Sequence, residues 1–153
     1  MEFIWIDYCT ACENEVEALF DSDAVKFTGC DDGFKAFYDY WLGEIGTDSF
    51  FCKVIISEEH LMGVIALARA QDGVFTIQEF VVSPEHRGKG LGTMMLKEFL
   101  QHSMDIMGQE ITVAKAVIYP DNLASQKAFS KAGFVHTLTH PDGDAMYYQY
   151  KKC

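Results

Sequence analysis

The segment around residues 83–92 constrains this chain most, because the hydrophobic period changes across it. Residues 74–82 are rich in Val, Phe, Ile and Thr and read as a strand. Over residues 91–107, Leu91, Met94, Met95, Phe99 and Met104 fall on one side of a helix. Between them runs Ser83-Pro84-Glu85-His86-Arg87-Gly88-Lys89-Gly90-Leu91-Gly92. A strand entering a glycine-rich turn at a helix N-terminus presents free backbone N–H groups, the positive end of the helix dipole and no obstructing side chains. Arg87 and Lys89 add positive charge. A pyrophosphate suits such a turn, and so does a tight connection that binds nothing. Two other nucleotide motifs are excluded. A P-loop needs Lys and then Ser or Thr after its last glycine, whereas Gly92 is followed by Thr93. The dinucleotide fingerprint needs a third glycine where Met95 stands.

The remaining pattern supplies the layers. Helices are predicted over residues 13–25, with Val16, Leu19 and Phe20 on one face, and over 34–45, started by Asp32 and Gly33 and ended by Gly46. Residues 50–56 and 61–68 form a hairpin around the turn at 57–60, and the turn at 71–73 leads into the third strand. After the helix at 91–107 come a strand at 111–119, a helix at 121–132 and strands at 133–139 and 145–150. No repeat or linker interrupts this order, so residues 1–153 are expected to form one α/β (α+β) domain. Its mixed, mostly antiparallel central sheet would be flanked by helices.

A formal net charge of −11 argues against nucleic acid, which requires a basic face, and favours cationic partners, although acidity also simply keeps a protein dispersed. No apolar run approaches the ~20 residues of a membrane span. The N-terminus has no basic region or cleavage site of a secretion signal, so the cytoplasm is the expected compartment. The five cysteines, Cys9, Cys12, Cys30, Cys52 and Cys153, read as reduced thiols. Cys9 and Cys12 have C-x-x-C spacing but lack a second pair or a histidine at ligand spacing, so no metal site is expected.

Arg87, Gly90 and Gly92 match the pattern Gln/Arg-x-x-Gly-x-Gly/Ala, and the run from Asn122 through Ser125 and Phe129 to Gly133-Phe134 resembles an Asn followed by a short helix and a closing Gly-Phe. In this order the two motifs resemble those of the GNAT superfamily of acetyl-CoA-dependent N-acetyltransferases. The resemblance implies that Phe80, Val81 and Val82 lie on a splayed strand edge and pair with the pantetheine arm. It implies that Arg87, Gly88, Lys89, Gly90, Leu91, Gly92 and Thr93 wrap the pyrophosphate. Asn122 would bind the pantetheine arm while capping its helix, with Ser125 and Phe129 beside the cofactor.

The implied reaction is direct attack by a primary amine on the thioester in a ternary complex. The acceptor would be a small cationic amine or a protein or peptide amine. The family's oxyanion donor is a strand N–H, here that of Val81 or its neighbour. An amine of pKa ~10.4 costs about 4.6 kcal/mol to neutralise at pH 7, so a base is expected. Glu79 is the candidate, with Gln78 beside it at a position often acidic in relatives, and His86 is the alternative. Phe129 stands where many members place a Tyr that protonates the departing thiolate. Tyr119, Tyr147 and Tyr148 are the candidate substitutes. Tyr38 and Trp41, with Gln78 and Glu79, are expected to face the acceptor. Readings left open are a catalytically silent acyl-CoA-binding module, transfer to a hydroxyl, and use of a longer acyl-CoA. The chain would act as a monomer or homodimer.

Overall fold

The computed structural model describes residues 1–28 and 34–153, with residues 36–38 described in backbone only. Cys30, Asp32 and Gly33 lie outside the described residues, as does the Tyr38 side chain.

The predicted meander forms β2 (Phe50–Ser57), β3 (His60–Gln71) and β4 (Val74–Val82), each antiparallel to the next. Glu58 and Glu59 both take positive φ between paired Ser57 and His60, which gives the tight β2–β3 turn the twist its strands need. A strand that the sequence pattern did not signal, β1 (Ile4–Asp7), adds to the free edge of β2, and the Lys53 ammonium pairs with Asp7 across that edge.

β5 (Val113–Ile118) runs parallel to β4, while β7 (Met146–Lys151) is antiparallel to β5 and carries β6 (Val135–Thr139) at the far edge. The seven strands stand in the order β1-β2-β3-β4-β5-β7-β6. This is the expected mixed, mostly antiparallel sheet with helices on its faces.

Two predicted helices are broken. Residues 13–25 divide into α1 (Glu13–Glu17) and α2 (Ser22–Thr28), because Asp21 Oδ1 accepts the Ala24 N–H at 2.9 Å and so starts a new helix. Residues 91–107 divide at His102, which has a non-helical backbone, into α4 (Leu91–Gln101) and α5 (Ser103–Met107). The helices α3 (Phe34–Glu44) and α6 (Leu123–Lys131) form where expected.

Alternation along β3 separates two cores. Ile65 and Leu67 pack with Phe75, Leu96, Phe99 and Phe129 beneath α4 and α6. Val64 and Ala66 pack with Val16, Leu19, Ala24 and Trp41 beneath α1 to α3. Each fully buried Leu or Phe contributes roughly 1.5–3 kcal/mol, so both layers hold the sheet firmly between them.

Candidate active site

The site begins where two strands part. β4 and β5 pair from Val74 opposite Val113 to Ile77 opposite Ala116. The pairing stops there, although β4 continues to Val82 and β5 to Ile118. At the same point β4 carries a bulge: Ile77 faces Leu67 and Glu79 faces Ala66, so Gln78 is the extra residue. A bulge shifts the alternation by one residue. Phe75 and Ile77 before it, and Phe80 and Val82 after it, therefore pack on the α4 side, while Val81 packs beneath α1 to α3. Glu79 shares the Val81 face.

The ladder also decides which backbone groups are free. Ser83 N–H donates to Met62 O at 2.8 Å, which fixes its phase: Val81, opposite Val64, bonds to β3, and Phe80 and Val82 direct their N–H and C=O groups into the gap. The Val82 carbonyl accepts there from Arg87 Nε at 2.9 Å. The Val81 N–H therefore points to β3 and not into the gap, so of the donors expected from the sequence, Val81 or its neighbour, only the neighbours face it. The groups facing the gap are the N–H of Phe80 and of Val82.

A cleft of about 520 Å³ occupies the gap. β4 lines it from Ile77 to Val82, including Gln78 and Glu79; the turn contributes His86, Arg87, Gly88 and Gly90; and α4 contributes Leu91, Gly92 and Thr93. Gly88 and Gly90 have φ of 76° and 77°, a left-handed backbone that bends the turn around the cleft floor without side chains. Lys89 stays outside the lining, with its ammonium on the Glu85 carbonyl.

From the β5 side, Asn122 and Ser125 line the cleft, and the Asn122 side chain caps α6 by accepting the Ser125 N–H at 3.2 Å. Phe129 is 4% exposed and packs edge-on against Phe80 and Phe134. Among the described residues no tyrosine lines the cleft: Tyr148 is buried in the core, and Tyr119 and Tyr147 lie elsewhere. Trp41, expected from the sequence to face the acceptor, does not. It is 1% exposed and packs edge-on against Tyr8 and Phe34 in the core, so it forms no wall of the cleft.

Glu79 is half-buried, and desolvation pushes its carboxyl up to about 8. His86 lines the same cleft from the turn.

Sequence reasoning missed the fourth wall. α2 supplies Asp23, Ala24, Phe27 and Thr28, and Lys127 and Lys131 of α6 bring positive charge to the cleft of an otherwise acidic chain. Arg87 Nη1 donates to Asp21 Oδ2 at 2.7 Å, so its charge is already partnered. Burial opposes the charge on Asp21, but the Ala24 amide and the Arg87 guanidinium outweigh it and hold the carboxyl below its usual range. The Asp21-Ser22-Asp23 run was a visible helix-start signal hidden inside a continuous helical period.

The group of described residues that could ligate a metal, His140 with Asp142 and Asp144, lies in the β6–β7 turn and does not line the cleft. Among the described residues, no helix is long and apolar enough to cross a membrane.

The fold closely resembles that of the aminoglycoside acetyltransferase AAC(6')-Ib in complex with coenzyme A and kanamycin. The two chains are 18% identical over 99% of this chain and 95% of that one, with a TM-score of 0.76. It is equally like the spermidine N-acetyltransferase from Vibrio cholerae in complex with CoA and spermine, at 13% identity over 97% of this chain and 95% of that one, with a TM-score of 0.78. At such identities the likeness establishes the fold. No curated protein matches the chain significantly. The model of the acetyltransferase (GNAT) family matches residues 15–134, which take in α2, the splayed strands, the glycine turn and α6. The chain belongs to the acetyltransferase (GNAT) family.

Proposed function

We propose that the chain transfers an acetyl group from acetyl-CoA to a primary amine by direct attack in a ternary complex. The observation that carries this reading is the half-buried Glu79 lining, together with the glycine turn, the cleft where β4 and β5 part, a burial that pushes its carboxyl up to about 8. The free N–H groups of Phe80 and Val82 suit a pantetheine arm laid along β4 like an added strand. The turn at 87–93, with Lys127 and Lys131 opposite, suits the phosphates. Acetyl-CoA supplies an acetyl group activated as a thioester.

The chain's own residues then handle the proton and the charge. Glu79 takes one proton from the entering ammonium, the amine nitrogen bonds to the carbonyl carbon, and as the carbon–sulfur bond breaks the nitrogen's surplus proton passes to the departing sulfur, leaving an amide and a free thiol. One of the two gap-facing N–H groups stabilises the oxygen as its charge develops. The departing thiol, with an ordinary pKa near ~8.5, is a fair leaving group, so Phe129 in place of a tyrosine does not forbid turnover.

A small cationic amine is the favoured acceptor over a protein or peptide amine. Asp23 and Glu79 line the cleft, the chain carries a net charge of −11, and similar folds bind kanamycin or spermine. Phe129 and the absence of a cleft tyrosine among the described residues favour one other reading, a silent acyl-CoA-binding module.

Incubation with acetyl-CoA and spermine, kanamycin or a lysine peptide tests the proposal. The expected result is an amine heavier by one acetyl group, with an equal amount of free CoA thiol. Binding of acetyl-CoA without turnover across a broad amine panel would instead establish the silent module.

A further inference from the structure

The two oxygens of Asp21 do different work: Oδ1 caps α2 through the Ala24 N–H, and Oδ2 holds Arg87 Nη1 at 2.7 Å. Arg87 is in turn tied by Nε to Val82 O at the end of β4. Further along α2, Lys26 pairs at 3.0 Å with Asp121, in the connection that follows β5. α2 is thus anchored to both limbs of the splayed strands and forms one wall of the cleft between them. The Lys26–Asp121 pair is open to solvent, with both side chains 61% exposed, whereas Asp21 and Arg87 are 34% and 32% exposed. The Asp21 end is therefore the less screened of the two anchors.

We propose that Asp21 is a positioning residue that couples occupancy of the glycine turn to the placement of α2, the wall against which the acceptor amine sits. The inference rests on reading the turn as the acetyl-CoA site. A guanidinium has five N–H donors, and Val82 O and Asp21 use only two of those on Arg87, leaving donors for a phosphate at the turn. An anion that fixes Arg87 also fixes the carboxylate bonded to it, and with it the first turn of α2. Such coupling is reciprocal, so a seated amine tightens the cofactor by the same factor.

Hydrogen exchange of the full chain, with and without coenzyme A, tests this in the wild type, Asp21→Asn and Asp21→Ala. Coenzyme A should slow exchange at residues 87–93 in all three proteins. In the wild type it should also slow the α2 amides about five-fold or more, and in both variants that second effect should fall below about two-fold. Asp21→Asn retains an oxygen that can accept the Ala24 N–H, so its α2 should exchange at nearly the wild-type rate without ligand. This separates loss of coupling from loss of the cap. Equal slowing of α2 in wild type and Asp21→Asn, or none in the wild type while residues 87–93 are protected, overturns the inference alone. No protection of residues 87–93 in the wild type overturns the acetyl-CoA reading and this inference together.

Discussion

Glu79→Gln lowers kcat/KM for a primary amine by about 100- to 10,000-fold near neutral pH, the usual contribution of a positioned base. It should also remove the inflection expected of the wild type near pH 8, since burial raises the Glu79 carboxyl to about 8. The size follows from pKa matching. A carboxylate at its ordinary value of 4.5 would take a proton from an amine of pKa ~10.4 across a gap of about 6 units, roughly 8 kcal/mol. At about 8 the gap narrows to roughly 2.4 units, near 3 kcal/mol. Desolvation thus makes a competent base of a group otherwise too acidic, at the cost of keeping much of it protonated at pH 7.

The same substitution carries an opposite signature in stability. A carboxyl raised in the folded state contributes fully below its unfolded value of 4.5, and that contribution is lost as pH rises toward about 8. The Tm of Glu79→Gln should therefore rise relative to wild type between pH 5 and 8 and level off above. A Tm difference between the two proteins that stays constant across pH would mean that Glu79 is solvated. A kcat/KM profile unaltered by the substitution would remove it as the base.

Gly90→Phe should weaken acetyl-CoA binding by more than about 100-fold, or roughly 2.7 kcal/mol, in calorimetric titration. A side-chain carbon at Gly90 meets nothing within 4 Å, so the fold has room for it, and because Gly90 lines the cleft a ring there would take space from the proposed ligand. The backbone there has φ of 77°, which costs an L-residue about 1–2 kcal/mol. The expected Tm loss is accordingly only about 2–8 °C. Retained affinity in a folded variant would move the phosphates away from the turn. Gly92 is a poorer place for this test, because a side-chain carbon there already crowds the Val82 side chain at 3.3 Å, so a loss of affinity could come from packing between α4 and β4.

The parts of the molecule legible in the sequence are those where periodicity or a special residue changes sharply. The β4–turn–α4 junction was readable because a period of two gives way to 3.6 across Gly88 and Gly90, and α6 because Asn122 precedes it. β1 was not, since Ile4, Trp5 and Ile6 are all apolar although only Trp5 packs inward, so the run carries no apolar–polar alternation. The bulge at Gln78 left no trace either, because one extra residue does not alter the composition of a strand. That residue nonetheless decides which N–H groups face the gap, and so the neighbours of Val81 face it and Val81 does not. Trp41 failed for another reason: an aromatic at helical spacing has the same pattern whether it faces a core or a pocket. The Asp21–Arg87 contact joins residues far apart in the chain, beyond the reach of local pattern.

Acetyl-CoA in the cleft between β4 and β5 underlies every role assigned to the turn and to Glu79, and its presence there is tested by calorimetric titration of the purified chain with acetyl-CoA, beside ATP and NADH. Saturable binding of one acetyl-CoA per chain, with far weaker heats from the other two, is the predicted result. No binding, or ATP and NADH binding as tightly as acetyl-CoA, would contradict it.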